Sequence, residues 1–289
     1  MPNNIMKFKK YIALLDEVYK TSAKTAVLDI NGALVRAGVN ANEIVIPKIQ
    51  MDGLADYDRN GGYVDGNVSI EHETVKFNYD RGRAFTVDAM DNEESAGIAF
   101  GSLSAEFIRT KVVPEMDAIR FAAYAGLENI SKASGTLATG EEVIAALRAA
   151  ATKMDEDEVP VENRILFITP TLRGVIADMD TTKSKEVLNK FSQIVEVPQS
   201  RFYTAIDLKD GKSTGEEIGG YAKNSDAKDI NFMVIHKPAI IQFTKHVVNK
   251  IISPQENQTS DGWKYFYRAY GLNDAYENKA AGVYLHHKA

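Results

Sequence analysis

The sequence predicts an α+β protein, and three observations carry that expectation. Residues 43 to 90 alternate apolar and polar with a period of two. Residues 93 to 124 carry one broad apolar stripe at helical spacing. From Thr139 onward helical and extended patterns alternate, and the last 29 residues hold seven of the 26 aromatics. The chain has 289 residues and a formal charge of −6, ordinary for a globular protein and large enough for one big or two medium domains. Its longest apolar run is far below the ~20 residues of a membrane helix. The absence of cysteine removes disulfides, thiolate nucleophiles and cysteine-based metal sites. The acidic balance argues against a dedicated duplex reader, which needs a basic face to displace counterions.

Taken in order, the N-terminal stretch carries Lys7, Lys9 and Lys10 and turns acidic at Asp16-Glu17, too early for a secretion signal. Ile12, Leu15 and Tyr19 mark a short amphipathic helix within an otherwise loose arm. Ile44, Ile46, Ile49 and Met51 form a strand that Pro47, with no N–H to donate, places at a sheet edge. A Gly- and Asp-rich turn follows to Asn67. The apolar phase then shifts between Val68-Ile70 and Val75-Phe77-Tyr79, which reads as a bulge near Thr74, and Arg81-Gly82-Arg83 reads as a second irregularity. Residues 43 to 90 are thereby expected to form one long two-stranded hairpin, which buries too little surface to be stable alone in water.

The stripe Ile98, Leu103, Phe107, Ile108, Val112, Met116 and Ile119 predicts a helix that Pro114 kinks or divides. Thr139-Gly-Glu-Glu142 is a capping box, and the acidic run Asp155 to Glu158 opposes the helix dipole, so fraying is expected there. Ile165 to Ile168 and Asn231 to Ile235 are all-apolar and read as buried strands, the first feeding a helix through Leu172 and Ile176. Trp263, Tyr265 and Tyr267, and then Val283 and Leu285, alternate as a closing pair of strands that packs on the long helix.

The chemical motifs favour bland readings. Gly211-Lys212-Ser213-Thr214 lacks the earlier glycine of a phosphate loop, whose place is taken by Ile206, and reads as a surface turn. Asp56, Asp58 and Asn60, with Asp65, match half of a calcium loop, but position twelve is Asn67, so only weak divalent binding competes with an Asx-rich turn. His286 and His287 point to opposite faces of a strand and read as an exposed terminal pair, and His236 as a satisfied structural residue. The pairs Glu93-Glu94, Glu141-Glu142 and Glu216-Glu217 need no catalytic role. No catalytic residue and no cofactor is expected.

The order of arm, hairpin, long helix, α/β middle and aromatic returning strands resembles the major capsid proteins of tailed bacteriophages, the Hong Kong ninety-seven type of fold. The likeness rests on Ile44 to Ile49 with the tip from Tyr57 to Asn67, on Phe77 to Met90, and on the helix from Phe107 to Arg120. Ile165 to Arg173 and Tyr265 to Tyr284 complete it. It implies an N-terminal arm (1–40), an extended loop (41–90), a peripheral domain with a spine helix (91–128 and 237–289) and an axial domain (129–236). It also implies self-assembly into hexamers and pentamers of an icosahedral shell around double-stranded DNA, built in the cytoplasm of a host bacterium, with a portal and a separate scaffolding protein as partners and no membrane. Assembly contacts are expected from Arg59, Tyr63, Phe77, Arg81 and Arg83 in the loop and from Lys9 and Lys10 in the arm. Lys7, Lys20 and Lys24 share the arm's electrostatic role toward neighbours or DNA. An encapsulin-like compartment is the alternative within the fold, and a nucleotide-binding enzyme using Lys212 the alternative outside it. Lys48 and Lys76 lie in the loop, but no partner for a lysine–asparagine bond is identified.

Overall fold

The computed structural model describes residues 23–29, 43–59, 61–94, 103–179 and 182–289. The expectations for Lys7, Lys9, Lys10, Lys20 and Asn60 lie outside these residues. Strands β1 (Glu43–Met51) and β2 (Val68–Lys76) form an antiparallel hairpin, with Glu43 opposite Lys76 and Met51 opposite Val68. Strand β3 (Tyr79–Asp88) follows, then α1 (Ala89–Glu94), α2 (Leu103–Phe107), a π turn (Ile108–Val112) and α3 (Val113–Gly126). The next unit contains β4 (Ser131–Ser134), α4 (Gly140–Glu156), β5 (Arg164–Ile168), α5 (Pro170–Met179), α6 (Thr182–Leu188) and β6 (Gln193–Glu196). It continues through the small pair β7 (Ile206–Leu208) and β8 (Tyr221–Lys223) to β9 (Ile230–His236). The chain closes with β10 (Ile240–Ile252), β11 (Gly262–Ala275) and β12 (Val283–His287).

The core is built around a five-stranded mixed sheet ordered β4-β12-β9-β5-β6. Every residue of β5 and β9 is buried, as a continuous apolar run requires when both faces of a sheet are covered. Alternate residues serve opposite layers. Ile165, Phe167, Met233, Ile235, Val283 and Leu285 pack with Phe121 and Tyr124 of α3, while Leu166, Ile168, Phe232, Val234 and Tyr284 pack with Val143, Ile144 and Leu147 of α4. The capping box forms as expected: Thr139 accepts from the N–H of Glu142, whose carboxylate accepts from the N–H of Thr139 at 3.1 Å.

Several expectations are corrected by this topology. The long alternating stretch is two objects: among the described residues β1 and β2 pair only with each other, whereas β3 is an edge of a second sheet, β10-β11-β3. Period two reveals a strand but not its partner, and β3 finds the aromatic strand β11 nearly 190 residues away. The register of β1 on β2 runs without a shift, so no bulge occurs at Thr74. The phase change instead marks the place where the ribbon, with Ile70 exposed, gives way to packed Val75. Gly82 is likewise regular; a Cβ there would lie 2.8 Å from the Tyr267 carbonyl, so glycine serves close strand approach. The irregularity in this sheet falls at Thr244/His246 of β10.

Pro114 falls where the helical stretch divides, at the passage from the π turn into α3. It lies in the first turn of α3, and the π turn just before it widens the ladder where the missing proline N–H leaves no ordinary rung. The acidic end of α4 is held, since Asp155 takes Arg164 at 2.6 Å and Lys190 at 3.1 Å and Lys153 reaches Asp157. These cations offset the dipole conflict behind the expected fraying. The two closing strands pack on the helical stretch as expected, Tyr265 and Tyr267 against Phe107 and Val283 and Leu285 against Phe121 and Tyr124, from two different sheets. His286 is buried, 3.0 Å from Asn231 Nδ2 and stacked on Phe232, because its strand is internal to the five-stranded sheet.

Candidate assembly surfaces

Two features set the molecule apart from a self-sufficient globule, namely a buried polar anchor at the root of the N-terminal segment and an apolar hairpin tip that stands free. The anchor centres on Asp117, which α3 presents to the fold interior with no exposure. Its carboxylate accepts from the backbone N–H groups of Lys24 (3.0 Å) and Thr25 (3.1 Å), from Thr25 Oγ1 (2.7 Å) and from Arg201 Nη1 (2.9 Å). One turn on, Arg120 donates to Thr25 Oγ1 at 2.9 Å, and Gln242 of β10 donates to Thr25 O at 2.8 Å while accepting from Tyr124 OH at 2.7 Å. Leu28 then inserts among Phe121, Ile240 and their neighbours with no exposed surface. A carboxylate buried this deeply is tolerated because every lone-pair direction meets a donor and one donor is cationic. The anchor holds residues 24–28 against α3.

The hairpin is the opposite case. Its base packs through Val75 on Ile241 and Leu272, with Phe77 stacked on Tyr270 at 4.8 Å. Toward the tip, Met51, Leu54, Tyr57, Tyr63, Val64, Val68 and Ile70 are all exposed, Leu54 completely and Tyr63 to 88%. The tip has internal order of its own: Asp52 accepts from the N–H of Asn67 at 2.8 Å, and Tyr57 and Tyr63 meet edge to face at 4.9 Å. Isolated apolar residues on a surface are normal, but so many on one projecting ribbon mark an interaction surface.

The expected contact residues divide between these settings. Arg59 and Tyr63 are exposed on the tip. Phe77 is part of the packed base, with Lys245 Nζ 4.8 Å from its ring centre. Arg81 pairs with Glu115 at 2.7 Å and donates to Lys209 O at 2.9 Å, and Arg83 donates to Glu217 O at 2.9 Å. Both guanidiniums thus staple the 207–220 loop to β3 inside one subunit. Asp56 and Asp58 are exposed, and no group of three metal-ligating side chains occurs among the described residues. The turn at Lys212 is filled from within: Asp210 accepts from the N–H groups of Lys212 (2.7 Å) and Ser213 (2.9 Å) and from Ser213 Oγ (2.6 Å). Those N–H groups are the ones a phosphate would need, and these hydrogen bonds hold the Asp210 carboxyl down at about 2. The anchor residues Asp117, Arg120 and Arg201 escaped the sequence reading. The available signal was a pair of charges, Asp117 and Arg120, embedded in the apolar run from Met116 to Tyr124.

Acid should weaken this fold in two stages. Burial, reinforced by Arg164 beside His236 and by His287 beside His286, pushes both imidazoles below their ordinary value. The unfolded chain then binds protons that the native state refuses, so stability falls as pH drops through about 6.5. The hydrogen bond from Arg268 holds Asp80 down, and those from Lys223 and Lys288 do the same for Asp229. Their contribution is intact above the unfolded carboxylate value and is lost as pH falls through the depressed native values. In thermal melts, His286→Asn should lose less Tm between pH 7.5 and 5.5 than the parent; an equal loss would remove His286 from this account.

No protein-family description matches the sequence, and no curated protein does. Solved structures do match. The mixed helix-and-sheet fold is shared with solved phage capsid structures. A structure from Mycobacterium phage Che8 aligns over 99% of this chain and 98% of its own, with a TM-score of 0.63 and 13% identity. The capsid structure of the cyanophage P-SCSP1u aligns over 98% and 93%, with a TM-score of 0.61 and 13% identity. The virus-like particle from Pyrococcus furiosus aligns over 88% and 90%, with a TM-score of 0.52 and 9% identity. The chain has the fold of a tailed-phage major capsid protein.

Proposed function

We propose that this chain is a major capsid protein whose copies form the hexamers and pentamers of an icosahedral phage head enclosing double-stranded DNA. The observation that carries the reading is the capsid fold over nearly the whole chain, joined to a hairpin whose apolar tip has no cover among the described residues. In this reading residues 1–40 form the arm, 41–90 the extended loop, 91–128 with 237–289 the peripheral domain and 129–236 the axial domain. The pairing of β3 with β11 supports residues 79–88 as the link between loop and peripheral domain in this reading. The role is structural, with no catalytic residue and no cofactor. Lys9 and Lys10 contact neighbours or DNA, Arg59 and Tyr63 contact neighbours, and Phe77, Arg81 and Arg83 support the loop from inside. The location is the virion, after assembly in the host cytoplasm with a scaffolding protein and a portal.

Overexpressed protein should give closed polyhedral particles in negative-stain electron microscopy. Monomers at every concentration and buffer would overturn the proposal. The alignment with a virus-like particle favours one second reading, an encapsulin-like compartment. Particles purified from the native source would then carry protein cargo where the capsid reading requires nuclease-protected DNA.

A further inference from the structure

Aspartate followed by glycine is the pairing most open to backbone rearrangement, because glycine has no Cβ to shield its nitrogen from the aspartyl side chain. The sequence holds four such pairs, Asp52-Gly53, Asp65-Gly66, Asp210-Gly211 and Asp261-Gly262. The fold closes three of them. Asp52 accepts from the N–H of Asn67 at 2.8 Å, so turning its carboxylate toward Gly53 breaks that bond. Asp210 accepts from the N–H groups of Lys212 and Ser213 and from Ser213 Oγ, which hold its carboxyl down at about 2. The neutral acid that the rearrangement consumes is therefore scarce there. At Asp261 the nucleophile is the engaged partner: the N–H of buried Gly262 donates to Ser260 O at 3.0 Å, and Gly262 opens β11 opposite Asp88 of β3.

Asp65-Gly66 is left open. Both residues are exposed on the stretch from Tyr63 to Asn67 that leads into β2, and among the described residues neither the Asp65 carboxylate nor the Gly66 N–H has a hydrogen-bond partner. We infer that Asp65-Gly66 is a site of spontaneous isoaspartate formation, selected by the fold from four like pairs. The Gly66 nitrogen attacks Cγ of the protonated Asp65 side chain; the N–Cγ bond forms, the Cγ–OH bond breaks, and the nitrogen's proton leaves with the hydroxyl as water. Water then opens the five-membered succinimide. Addition at Cγ restores aspartate, whereas addition at the main-chain carbonyl of Asp65 breaks its bond to Gly66 N and leaves the chain running through Cγ, as isoaspartate. Water is the only co-reactant, and holding both reacting atoms in one chain supplies their effective concentration. The isomer lengthens the backbone by one carbon beside Asn67, whose N–H meets Asp52 across the tip. This chemistry belongs to the chain itself and is independent of what the subunit assembles into.

Trypsin places the four pairs in four separate peptides, 49–59, 60–76, 210–212 and 251–264. After storage of the native protein at mildly acidic pH, labelling by an isoaspartate-specific methyltransferase should be roughly tenfold higher in 60–76 than in each of the others. The labelled peptide should derive from a species of unchanged mass, which separates isomerisation at Asp65 from deamidation at Asn60-Gly61. Storage in urea should bring the other three peptides toward the level of 60–76, because unfolding releases the bonds at Asn67, Ser213 and Ser260. Gly66→Ala adds a Cβ that meets only Asp52 Cβ, at 3.9 Å, and should cut the labelling of 60–76 several-fold without moving Tm. Native labelling spread evenly over the four peptides, confined to the deamidated mass or absent from 60–76 overturns the inference. A dominance of 60–76 that persists unchanged in urea overturns the selection by the fold.

Discussion

Replacing residues 52–67 by Asn-Gly will yield a subunit that folds and does not assemble. Met51 and Val68 face each other at the end of the β1–β2 register, so a two-residue turn can close the shortened ribbon at the point where its pairing already ends. The segment removed contributes little to its own subunit, since Met51, Leu54, Tyr57, Tyr63 and Val64 around it are all largely exposed. The monomer should therefore keep the parent's circular dichroism and melt within a few degrees of it. Electron microscopy should show no closed particles where the parent gives them, and sedimentation should show monomers or small oligomers. Unchanged shells would refute the role of the tip.

Asp117→Ala should produce the largest loss of stability of any single change at the anchor. It removes the carboxylate facing the Arg201 guanidinium, which is only 2% exposed, and leaves the N–H groups of Lys24 and Thr25 without this acceptor. Breaking a buried ion pair from one side costs about 3–5 kcal/mol, a large share of the stability of an ordinary domain. The expected signature is a fall of that size in urea unfolding, together with early proteolytic cleavage after Lys24, because the segment 23–29 loses its hold on α3. Retention of parental stability would show that Leu28 alone holds the segment. Thr25→Val provides a milder comparison, since it removes the hydroxyl donated to Asp117 and accepting from Arg120 but leaves the charges paired.

The elements themselves were readable from local pattern. The all-apolar runs at 165–168 and 231–235 are strands buried on both faces, the Thr139 box caps its helix, and Trp263, Tyr265 and Tyr267 alternate along one strand. The free tip was also foreseeable, because a two-stranded ribbon rich in Gly and Asp at its turn has no second layer to lie on. What failed was pairing. A bulge at Thr74 and an irregularity at Gly82 follow only if 43–90 is one hairpin, whereas the phase change records a strand passing from a solvated ribbon into a packed sheet.

The amino-acid order alone therefore determined which stretches are helix or strand and which faces they bury, since both follow from side-chain spacing within a dozen residues. Only the tertiary structure decided that β3 joins β11 and that Asp117 holds Lys24 and Thr25. Each of these depends on contacts between residues roughly 90 to 190 positions apart. Local periodicity carries no information about which of several compatible strands or donors will be brought alongside; packing of the whole chain selects them.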